Sequence, residues 1–381
     1  MERLYLREEH AIFRRSLRKF LKKEAYPYFE QWESEQQVPR SFWKKAGEQG
    51  FLCPWADEIY GAVQADFGYS VVINEEFERV GTAMVGLGLH NDIVMPYIAS
   101  LGTKSQKSVW LPGAISGNLI SAIAMTEPGA GSDLAAIRTT AVRDGNDYIL
   151  NGEKTFITNG YSADLVVVVC KTDTQAKPAH KGISLIVVEA DTPGFSKGKK
   201  LQKVGQHAND TCELIFEDVR VPARNLVGAE GKGFYYLMEN LQQERLLVAI
   251  QSVASTEIML DLTIDYVKQR KAFGQNISRF QNTQFKLAEL KTECQIGRTF
   301  VDRLIEDHVS GKDVVTEVSM AKWWTTDLAK KVAAECMQLH GGYGYMEEYE
   351  IARRFRDTAV SSIYAGSNEI MKVIIAKNMG L

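Results

Sequence analysis

The sequence lacks the cysteine pattern of a disulfide framework or a zinc site. Its cysteines are odd in number and widely separated, and they form no CxxC pair or cysteine–histidine cluster. Scattered cysteines of this kind are typical of reduced thiols in a cytoplasmic protein. We therefore expect neither a disulfide nor a metal site at Cys53, Cys170, Cys212, Cys294 or Cys336.

The sequence also lacks an excess of either charge. Lysine and arginine total 45 against 48 aspartate and glutamate residues, which gives a formal net charge of -3. A nucleic-acid-binding domain normally carries a basic excess or stripe, so we expect no nucleic-acid partner. The hydrophobic fraction of 45% is ordinary for a globular protein, and 381 residues correspond to two or three domains of about 150 residues.

A long uninterrupted apolar run is missing as well. The longest uncharged segment, residues 108–126, contains Pro112 and Gly117, whereas a membrane-spanning helix needs roughly 20 predominantly apolar residues. The first 20 residues mix acidic and basic side chains around an apolar stripe, which is typical of an amphipathic helix and not of a signal or transit peptide. We expect no membrane span and a cytoplasmic location.

The hydrophobic period changes twice along the chain. Apolar residues recur at helical spacing over residues 1–118, at strand-like spacing over residues 119–229, and again at helical spacing over residues 230–381. Long helices joined by short connections favour an antiparallel bundle. The sequence therefore predicts an α+β fold class with an N-terminal all-α domain, a central β-domain and a C-terminal four-helix bundle.

Two patterns define the strands of the predicted β-domain. Four consecutive valines at residues 166–169 predict a strand that is buried on both faces. Turn signals, among them Asn151-Gly152, separate the apolar segments. We therefore expect short strands joined by tight turns across this region.

Two segments of the predicted β-domain contain more glycine and polar residues than packing requires. Residues 124–133 end a strand in a turn whose backbone N–H groups can face an anion or a polar heterocycle. Phe156 and Thr158 lie two apart on one face of a strand, where they can stack on a flat ring and hydrogen-bond its edge. A strand-to-loop corner and plain strand alternation are equally open interpretations of these two segments.

Two further segments lie in the predicted C-terminal bundle. Residues 338–345 contain three glycines in four positions, which allow another backbone or a ligand to approach closely. Residues 363–370 form a turn that leads into a helix with Ser367 as its expected N-cap. Free N–H groups at such a helix start suit an anionic ligand.

Together these segments resemble the flavin-dependent acyl-CoA dehydrogenases, and the resemblance covers essentially the full chain. The TEPGAGSD segment at residues 126–133 and the QLHGGYGY…E…R…D spacing at residues 338–357 match signature patterns of that family. The resemblance implies FAD held between a central β-domain and a C-terminal four-helix bundle. It also implies an acyl-CoA substrate, an electron-transfer flavoprotein as electron acceptor and, as is usual in the family, a homotetramer.

The resemblance further implies roles for individual residues. Thr158 is expected near flavin N5, and Arg270 and Gln281 are expected to reach the FAD of a neighbouring subunit. The residues implied to bind the cofactor are Met125, Thr126, Gly131, Ser132, Phe156, Thr158, Arg270, Gln281, Gln338, Gly341, Gly342, Ser367, Asn368 and Glu369. Those implied to bind the substrate are Ser132, Tyr235, Arg245, Tyr364 and Gly366.

Some of these residues keep a second interpretation. Arg245 is either a structural ion-pair partner or a residue on the CoA side of the site. His180 and Lys181 lie in the loop where the family meets the CoA nucleotide, and a solvated surface loop is an equally open interpretation. The small residues of Val80–Gly88 either leave room for an acyl tail or permit close helix packing.

The position of the catalytic base departs from the commonest family pattern. Many members carry a glutamate directly before the glycine of an IY-x-G segment, and here that position is Ala365. Long-chain and isovaleryl types instead carry it on the first long helix of the C-terminal domain, where this sequence has Glu244. Glu244 falls on a helical apolar stripe with Leu237, Leu241 and Val248. A lone helical glutamate is usually solvated, but the stripe, the resemblance and the missing acid at 365 together favour Glu244 as the base.

The implied reaction is α,β-dehydrogenation of an acyl-CoA to a trans-2-enoyl-CoA. Glu244 would take the α-proton and flavin N5 the β-hydrogen as hydride, with the backbone N–H of Ala365 stabilising the thioester oxygen. Tyr364 fills a position that is small in isovaleryl-type enzymes, which favours straight-chain substrates of medium to long length. An O₂-using enzyme of the same fold, an acyl-CoA oxidase or a monooxygenase, is the alternative, followed by a non-enzymatic binding protein.

Overall fold

The computed structural model describes Arg3, residues 5–81 and residues 85–381. Its N-terminal part is helical, and each helix buries one face against its neighbours. Acidic residues in the first turn of α1 and lysines in its last turn favour the helix through its dipole. The helices are α1 (Glu8–Glu24), α2 (Phe29–Glu35), α3 (Arg40–Glu48), α4 (Phe67–Val80), α5 (Val85–Leu89), α6 (Met95–Leu101) and α7 (Lys104–Ile115).

The central part is a mostly antiparallel sheet of eight strands among the described residues. Its strand order is β6-β7-β3-β2-β4-β5-β8, and β1 pairs in parallel with β4. The strands are β1 (Ser121–Ala124), β2 (Thr140–Asp144), β3 (Asp147–Thr158), β4 (Leu165–Lys171), β5 (Ile183–Glu189), β6 (Phe195–Lys200), β7 (Thr211–Pro222) and β8 (Leu226–Val227).

The valine run forms the centre of β4 and is buried on both faces, as the sequence predicts. Val166 and Val168 pack within the sheet's own core, next to Ile186 and Val188 of β5. Val167 and Val169 face the opposite way, toward helices α6 and α7. The helical layer that carries α6 therefore lies directly on one face of the sheet.

The prediction of a turn at Asn151-Gly152 is wrong, because both residues lie inside β3. The pairing of β3 with β7 shifts register between Leu150 and Gly152, which is a bulge. Gly152 has φ +145°, and a Cβ there would lie 2.6 Å from Thr139 Oγ1. The glycine is needed for this close approach, and not for reversing the chain.

The C-terminal part is an antiparallel helical bundle whose longest member is α8, with 37 residues. A short hairpin of β9 (Lys271–Ala272) and β10 (Gln275–Asn276) joins α8 to α9. The helices are α8 (Gly233–Gln269), α9 (Gln281–Val309), α10 (Val315–His340), α11 (Glu350–Thr358) and α12 (Asn368–Asn378). The predicted α+β fold class, with its all-α, β and bundle order, is confirmed.

By length and composition α8 is the one described helix able to cross a membrane. In its most apolar window, 72% of the residues are buried inside the protein. A core helix of a folded protein has the same length and composition, so the result is weak evidence for a membrane span.

Buried charge pairs hold the N-terminal helices against the bundle. Glu75 of α4 accepts hydrogen bonds from Arg298 of α9 at 2.8 Å and from Arg14 of α1 at 2.7 Å. Burial raises the pKa of the Glu75 carboxyl, but Arg298 and Arg3 outweigh that effect and hold the pKa well below its usual range. These pairs join α4 to α1 and to the bundle helix α9.

Candidate active site

Glu244 lies in the interior of the protein. Its side chain is 5% exposed, and the other members of its stripe, Leu237, Leu241 and Val248, are buried with it. The inward orientation that the stripe predicts is therefore confirmed. The alternative, that the Glu244 side chain is exposed to solvent, is excluded.

Tyr97 of α6 is the hydrogen-bond partner of this carboxyl. Its hydroxyl donates to Glu244 Oε1 across 2.7 Å, and the tyrosine has no exposed surface. Burial raises the pKa of Glu244 to about 7, although the Tyr97 hydrogen bond and the nearby Arg245 oppose the rise. Burial also raises the pKa of Tyr97 well above its usual value, so the phenol stays neutral and donates.

A π-helical turn, His90–Val94, joins α5 to α6 immediately before Tyr97. The backbone N–H of Ser121 donates to His90 Nδ1 at 3.1 Å, and burial lowers the pKa of His90 to about 4. The Asp92 carbonyl oxygen accepts from Gln243 Nε2 at 2.8 Å. Single π turns in α-helices are often found at functional sites, and this one contacts the residue directly before Glu244.

Ala365 and Gly366 form a left-handed turn next to α8. Their φ angles are +53° and +87°. A Cβ on Gly366 would lie 3.7 Å from Arg245 Nη2. The segment of α8 that contains Glu244 and Arg245 therefore lies next to the turn formed by Ala365 and Gly366. The backbone N–H of Ala365 donates to no group in the described part of the chain, which leaves it available to a ligand oxygen.

Arg245 is buried but makes no salt bridge with any described residue. Its side chain is 5% exposed, and Nε has no hydrogen-bond partner within the described ranges. Burial lowers the pKa of this guanidinium, and Glu244 opposes the shift. Among the described residues no carboxylate lies within salt-bridge distance of Arg245, so the structure gives no support to its ion-pair interpretation.

The turn at residues 126–133 is fixed by a buried ion pair that the sequence did not single out. Lys154 Nζ donates to Glu127 Oε1 at 2.8 Å and to the Met125 carbonyl at 3.0 Å. Glu127 also accepts the backbone N–H groups of Arg138 and Thr139. The lysine lies two positions before Phe156 in the sequence, but its burial is visible only in three dimensions.

Phe156 projects from an irregularity in β3. Pairing with β7 shifts register between Lys154 and Ile157, Phe156 has φ +59°, and its side chain is 67% exposed. Thr158 is half-buried two residues further along the strand. A bulge redirects a side chain, and an exposed aromatic ring on a rigid strand fits the stacking surface that a flavin needs.

Met125 and Thr126 are half-buried at the start of the 126–133 turn, and Gly131 and Ser132 are exposed at its end. The nearest atom to a Cβ on Gly131 would be Thr126 Cγ2, at 3.9 Å. The turn therefore leaves open space at its exposed end, on the same segment that the Lys154 ion pair holds.

A cavity of about 530 Å³ lies at the end of α10. A Cβ on Gly341 or Gly342 would meet no atom within 4 Å, so these glycines keep backbone accessible and are not needed for packing. Gln281, the first residue of α9, is exposed and does not line the cavity. The lining residues are Tyr266, Arg270, Ile277, Gln338, Leu339, His340, Gly341, Gly342, Tyr343 and Met346.

The start of α12 contains the remaining predicted cofactor residues. Ser367 is its N-cap, as predicted, and accepts from the Ile370 N–H at 3.4 Å. Glu369 is exposed in the first turn. Asn368 is buried, and its side-chain oxygen accepts from Lys322 at 3.1 Å while its amide donates to Asp327 at 3.0 Å. Only the backbone of Asn368 is therefore free to meet a ligand.

The predicted substrate residues divide between the two ends of the site. Tyr235, in the first turn of α8, approaches His180 with its hydroxyl 3.4 Å from Nε2, which brings the predicted CoA loop to α8. Tyr364 is half-buried, and burial raises its pKa while a hydrogen bond from Gln206 opposes the rise.

Part of the Val80–Gly88 stretch, residues 82–84, lies outside the described residues. A Cβ on Gly86 would lie 2.2 Å from Asn159 Oδ1, and one on Gly88 would lie 2.9 Å from Asn74 Oδ1. These two glycines therefore serve close packing, which was one of the two interpretations of the stretch.

Comparison with known proteins identifies, over nearly the whole chain, the family that the sequence resembles. Three family descriptions match it: acyl-CoA dehydrogenase N-terminal domain at residues 7–118, middle domain at 122–219 and C-terminal domain at 231–380. The rat mitochondrial long-chain specific acyl-CoA dehydrogenase is 51% identical over 372 residues, 97% of this chain and 86% of that protein.

Two solved structures are also similar. The crystal structure of an acyl-CoA dehydrogenase from Geobacillus kaustophilus has 68% identity and a TM-score of 0.98, with 99% of each chain covered. A Mycobacterium smegmatis glutaryl-CoA dehydrogenase in complex with FADH2 has 29% identity and a TM-score of 0.91, with 98% of this chain and 95% of that chain covered. Fold and site define an FAD-dependent dehydrogenase. The chain belongs to the acyl-CoA dehydrogenase family, whose enzymes dehydrogenate acyl-CoA thioesters.

Proposed function

We propose that the protein converts straight-chain acyl-CoA thioesters of medium to long length to trans-2-enoyl-CoA, with Glu244 as the base. The observation that carries the proposal is the buried Glu244 carboxyl, held by Tyr97 and followed directly by Arg245 against the 365–366 turn. Burial raises the pKa of Glu244 to about 7. A general base works best when its pKa is near the operating pH.

The residues of the chain divide the chemistry as follows. FAD, when bound, supplies the acceptor for the β-hydrogen as hydride. Glu244 takes the α-proton as the Cα–H bond breaks, and the electron pair of that bond forms the new double bond. The Ala365 N–H stabilises the negative charge that develops on the thioester oxygen, since a fixed donor in a dry site needs no reorganisation. Replacing the side chain at 365 leaves this N–H intact, so an alanine is compatible with the reaction.

Several groups fit FAD. The exposed ring of Phe156 and the hydroxyl of Thr158 suit the isoalloxazine, and the 126–133 turn, held by Lys154 and Glu127, suits its polar edge. The cavity lined by Arg270 and the two open glycines suits phosphate, because the planar guanidinium fork matches phosphate oxygens. Gln281 follows Arg270 across the short hairpin. We also assign Gln281 to the FAD site.

The substrate class follows from Tyr364 and from relatives. By the resemblance to the family, Tyr364 occupies a position that is small in isovaleryl-type enzymes, where space admits a branched acyl chain. The relative at 51% identity is named long-chain specific. We therefore assign straight-chain substrates, an electron-transfer flavoprotein as acceptor, a homotetrameric assembly, a cytoplasmic location and a role in fatty-acid oxidation to this protein as parts of the proposal.

Anaerobic titration of the purified FAD-loaded protein with an acyl-CoA series tests the function. The wild type should bleach its flavin, and Glu244→Gln should retain yellow FAD and bind the thioester without bleaching. Glu239→Gln, an exposed acid on the same helix, is the control and should bleach normally. Bleaching by Glu244→Gln at the wild-type rate would refute the base. Fast reoxidation of the reduced protein by air would instead identify an oxidase.

A further inference from the structure

Within the described part of the chain, the Glu244 carboxyl receives a single hydrogen bond. Tyr97 Oη donates to Oε1 across 2.7 Å, and Oε2 receives no hydrogen bond from any described group. One oxygen of the carboxyl is therefore held by the protein and the other is left for a partner that the protein does not supply.

The π turn that precedes Tyr97 is itself fixed by several hydrogen bonds. The tyrosine has no exposed surface, and the π turn that precedes it is hydrogen-bonded on both sides. The Asp92 side chain of that turn accepts from Ser70 Oγ at 2.7 Å and from Asn74 Nδ2 at 2.8 Å. The Asp92 carbonyl accepts from Gln243 of α8. The segment that carries Tyr97 is thus joined to the residue before Glu244.

The charged and titratable groups around Glu244 are few and mostly engaged elsewhere. Arg245, on the same helix, is the charged side chain that acts on the Glu244 carboxyl. Asp92, on the α6 side, is hydrogen-bonded as described above. His308 of α9 contacts Gln242 and Gln243, and Lys322 of α10 donates to the Gly366 carbonyl. Tyr97 is therefore the group that can set both the orientation of this carboxyl and its affinity for a proton.

We propose that Tyr97 is a positioning residue for the reaction, which holds Glu244 by Oε1 so that Oε2 takes the α-proton. The inference rests on the proposed role of Glu244 as base. The Cα–H bond breaks, its proton goes to Oε2, and its electron pair enters the new double bond while the β-hydrogen leaves as hydride to FAD. Tyr97 keeps its own proton throughout and acts on the substrate only through Glu244.

The test is Tyr97→Phe in the full-length, FAD-loaded protein, with anaerobic single-turnover reduction by dodecanoyl-CoA followed by flavin absorbance between pH 5.5 and 9. A hydrogen bond to a charged group is lost, so the acidic limb of the rate–pH profile should move up by about one pH unit. The rate at pH 6 should fall about tenfold, with the KM for dodecanoyl-CoA and the FAD content unchanged. A merely structural role would lower Tm and leave the acidic limb in place.

Tyr148→Phe is the matched control. Tyr148 of β3 is also fully buried and its hydroxyl accepts from Arg143 at 3.4 Å, far along the chain from Glu244. Its loss should leave the rate–pH profile unchanged. A fluorinated tyrosine at position 97 keeps the hydroxyl and donates more strongly, so it should move the acidic limb to lower pH and serves if Tyr97→Phe does not fold.

The outcomes separate the inference from the proposed function. If the acidic limb does not move in folded Tyr97→Phe, or in the fluorinated protein, the inference about Tyr97 is wrong. The proposed base still stands in that case, provided that Glu244→Gln is inactive. Wild-type flavin reduction by Glu244→Gln overturns the proposed base and the inference with it. Opposite shifts from removing and strengthening the donor support the inference.

Discussion

Lys322 donates a hydrogen bond from Nζ to the Gly366 carbonyl oxygen across 2.8 Å, from a side chain with no exposed surface. Arg245 approaches the same glycine from α8. Burial, together with the nearby Arg245, lowers the pKa of Lys322 to about 8. Lys322 of α10 therefore holds by a hydrogen bond the left-handed turn that carries the Ala365 N–H, and Arg245 of α8 lies against the same turn.

Lys322→Met should slow flavin reduction without removing FAD. The Gly366 carbonyl loses its donor and the turn can relax, so we expect the anaerobic rate with dodecanoyl-CoA to fall about tenfold, or about 1.4 kcal/mol of barrier. Loss of the charged hydrogen bonds should lower the free energy of unfolding by about 1–3 kcal/mol. Stopped-flow absorbance and thermal unfolding measure the two effects.

The control is Lys331→Met on the same helix. Its ammonium pairs with Glu293 at the surface, where both side chains are partly exposed, so its loss should change stability by less than about 1 kcal/mol. A wild-type rate in folded, FAD-loaded Lys322→Met would show that the turn keeps its geometry without the lysine.

Ala365→Gly should retain activity and not destabilise the protein. Alanine at φ +53° is strained by about 1–2 kcal/mol, and glycine relieves this strain while adding about 0.5–1 kcal/mol of backbone entropy to the unfolded chain. The net gain is between about 0 and 1.5 kcal/mol, and the backbone N–H is unchanged. Thermal unfolding and the flavin reduction rate test this.

Ala365→Val is the matched comparison. A β-branched residue is disfavoured in the left-handed region, so this variant should lower Tm and slow flavin reduction together. Equal Tm values for the glycine and valine variants would mean that the turn does not keep its left-handed conformation.

The sequence predicted those helices and strands whose buried face follows a regular hydrophobic period. The helical spacing expected over residues 230–381 corresponds to the bundle helices, and the run of valines is a strand buried on both faces, because such patterns depend on which face of an element is buried. The stripe that contains Glu244 was predicted for the same reason.

The hydrophobic period of the sequence predicts neither which distant residues are in contact nor where strands of polar sequence lie. Tyr97 and Glu244 are 147 positions apart, and a pattern that predicts burial does not predict which buried residues meet. β6 is the polar, half-exposed sequence FSKGKK, so its apolar alternation is too weak to indicate a strand. Asn151-Gly152 has turn composition but lies in a bulge, since the conformation of a glycine is decided here by the approach of Thr139.

Lys154→Met should destabilise the protein and weaken FAD retention. Removing one partner leaves the Glu127 carboxylate buried without its cation, which typically costs about 3–5 kcal/mol. The turn at 126–133 then loses its side-chain link to β3 and keeps only the backbone hydrogen bond from the Thr155 N–H to the Thr126 carbonyl. Tm and the FAD content after gel filtration measure the two consequences.

The matched control is Arg220→Met. Arg220 pairs with Asp144 on the surface, with both side chains more than half exposed, so its removal should change stability by less than about 1 kcal/mol. Full FAD retention by a folded Lys154→Met protein would contradict a role of the ion pair in holding the cofactor turn.

Glu244→Gln should stabilise the protein, and more so as the pH rises. Burial raises the pKa of Glu244 from 4.5 to about 7, so between these values the folded protein holds a proton that the unfolded chain releases. The stabilisation from this proton is complete below pH 4.5 and is lost as the pH rises through 7. Glutamine cannot ionise, so its advantage over the wild type should be small at pH 5 and on the order of 2–3 kcal/mol at pH 8.

The measurement is the Tm difference between Glu244→Gln and wild type at pH 5 and pH 8, at fixed protein and FAD concentrations because bound cofactor also stabilises. Glu239→Gln, exposed on the same helix, should show the same small difference at both pH values. Equal differences for Glu244→Gln at the two pH values would mean that the carboxyl ionises as readily in the folded protein as in the unfolded chain. If Glu244 is the base, Glu244→Gln should be inactive and, at pH 8, more stable than the wild type. Burial raises the reactivity of the carboxylate as a base, but the same burial destabilises the folded protein when the carboxylate is charged.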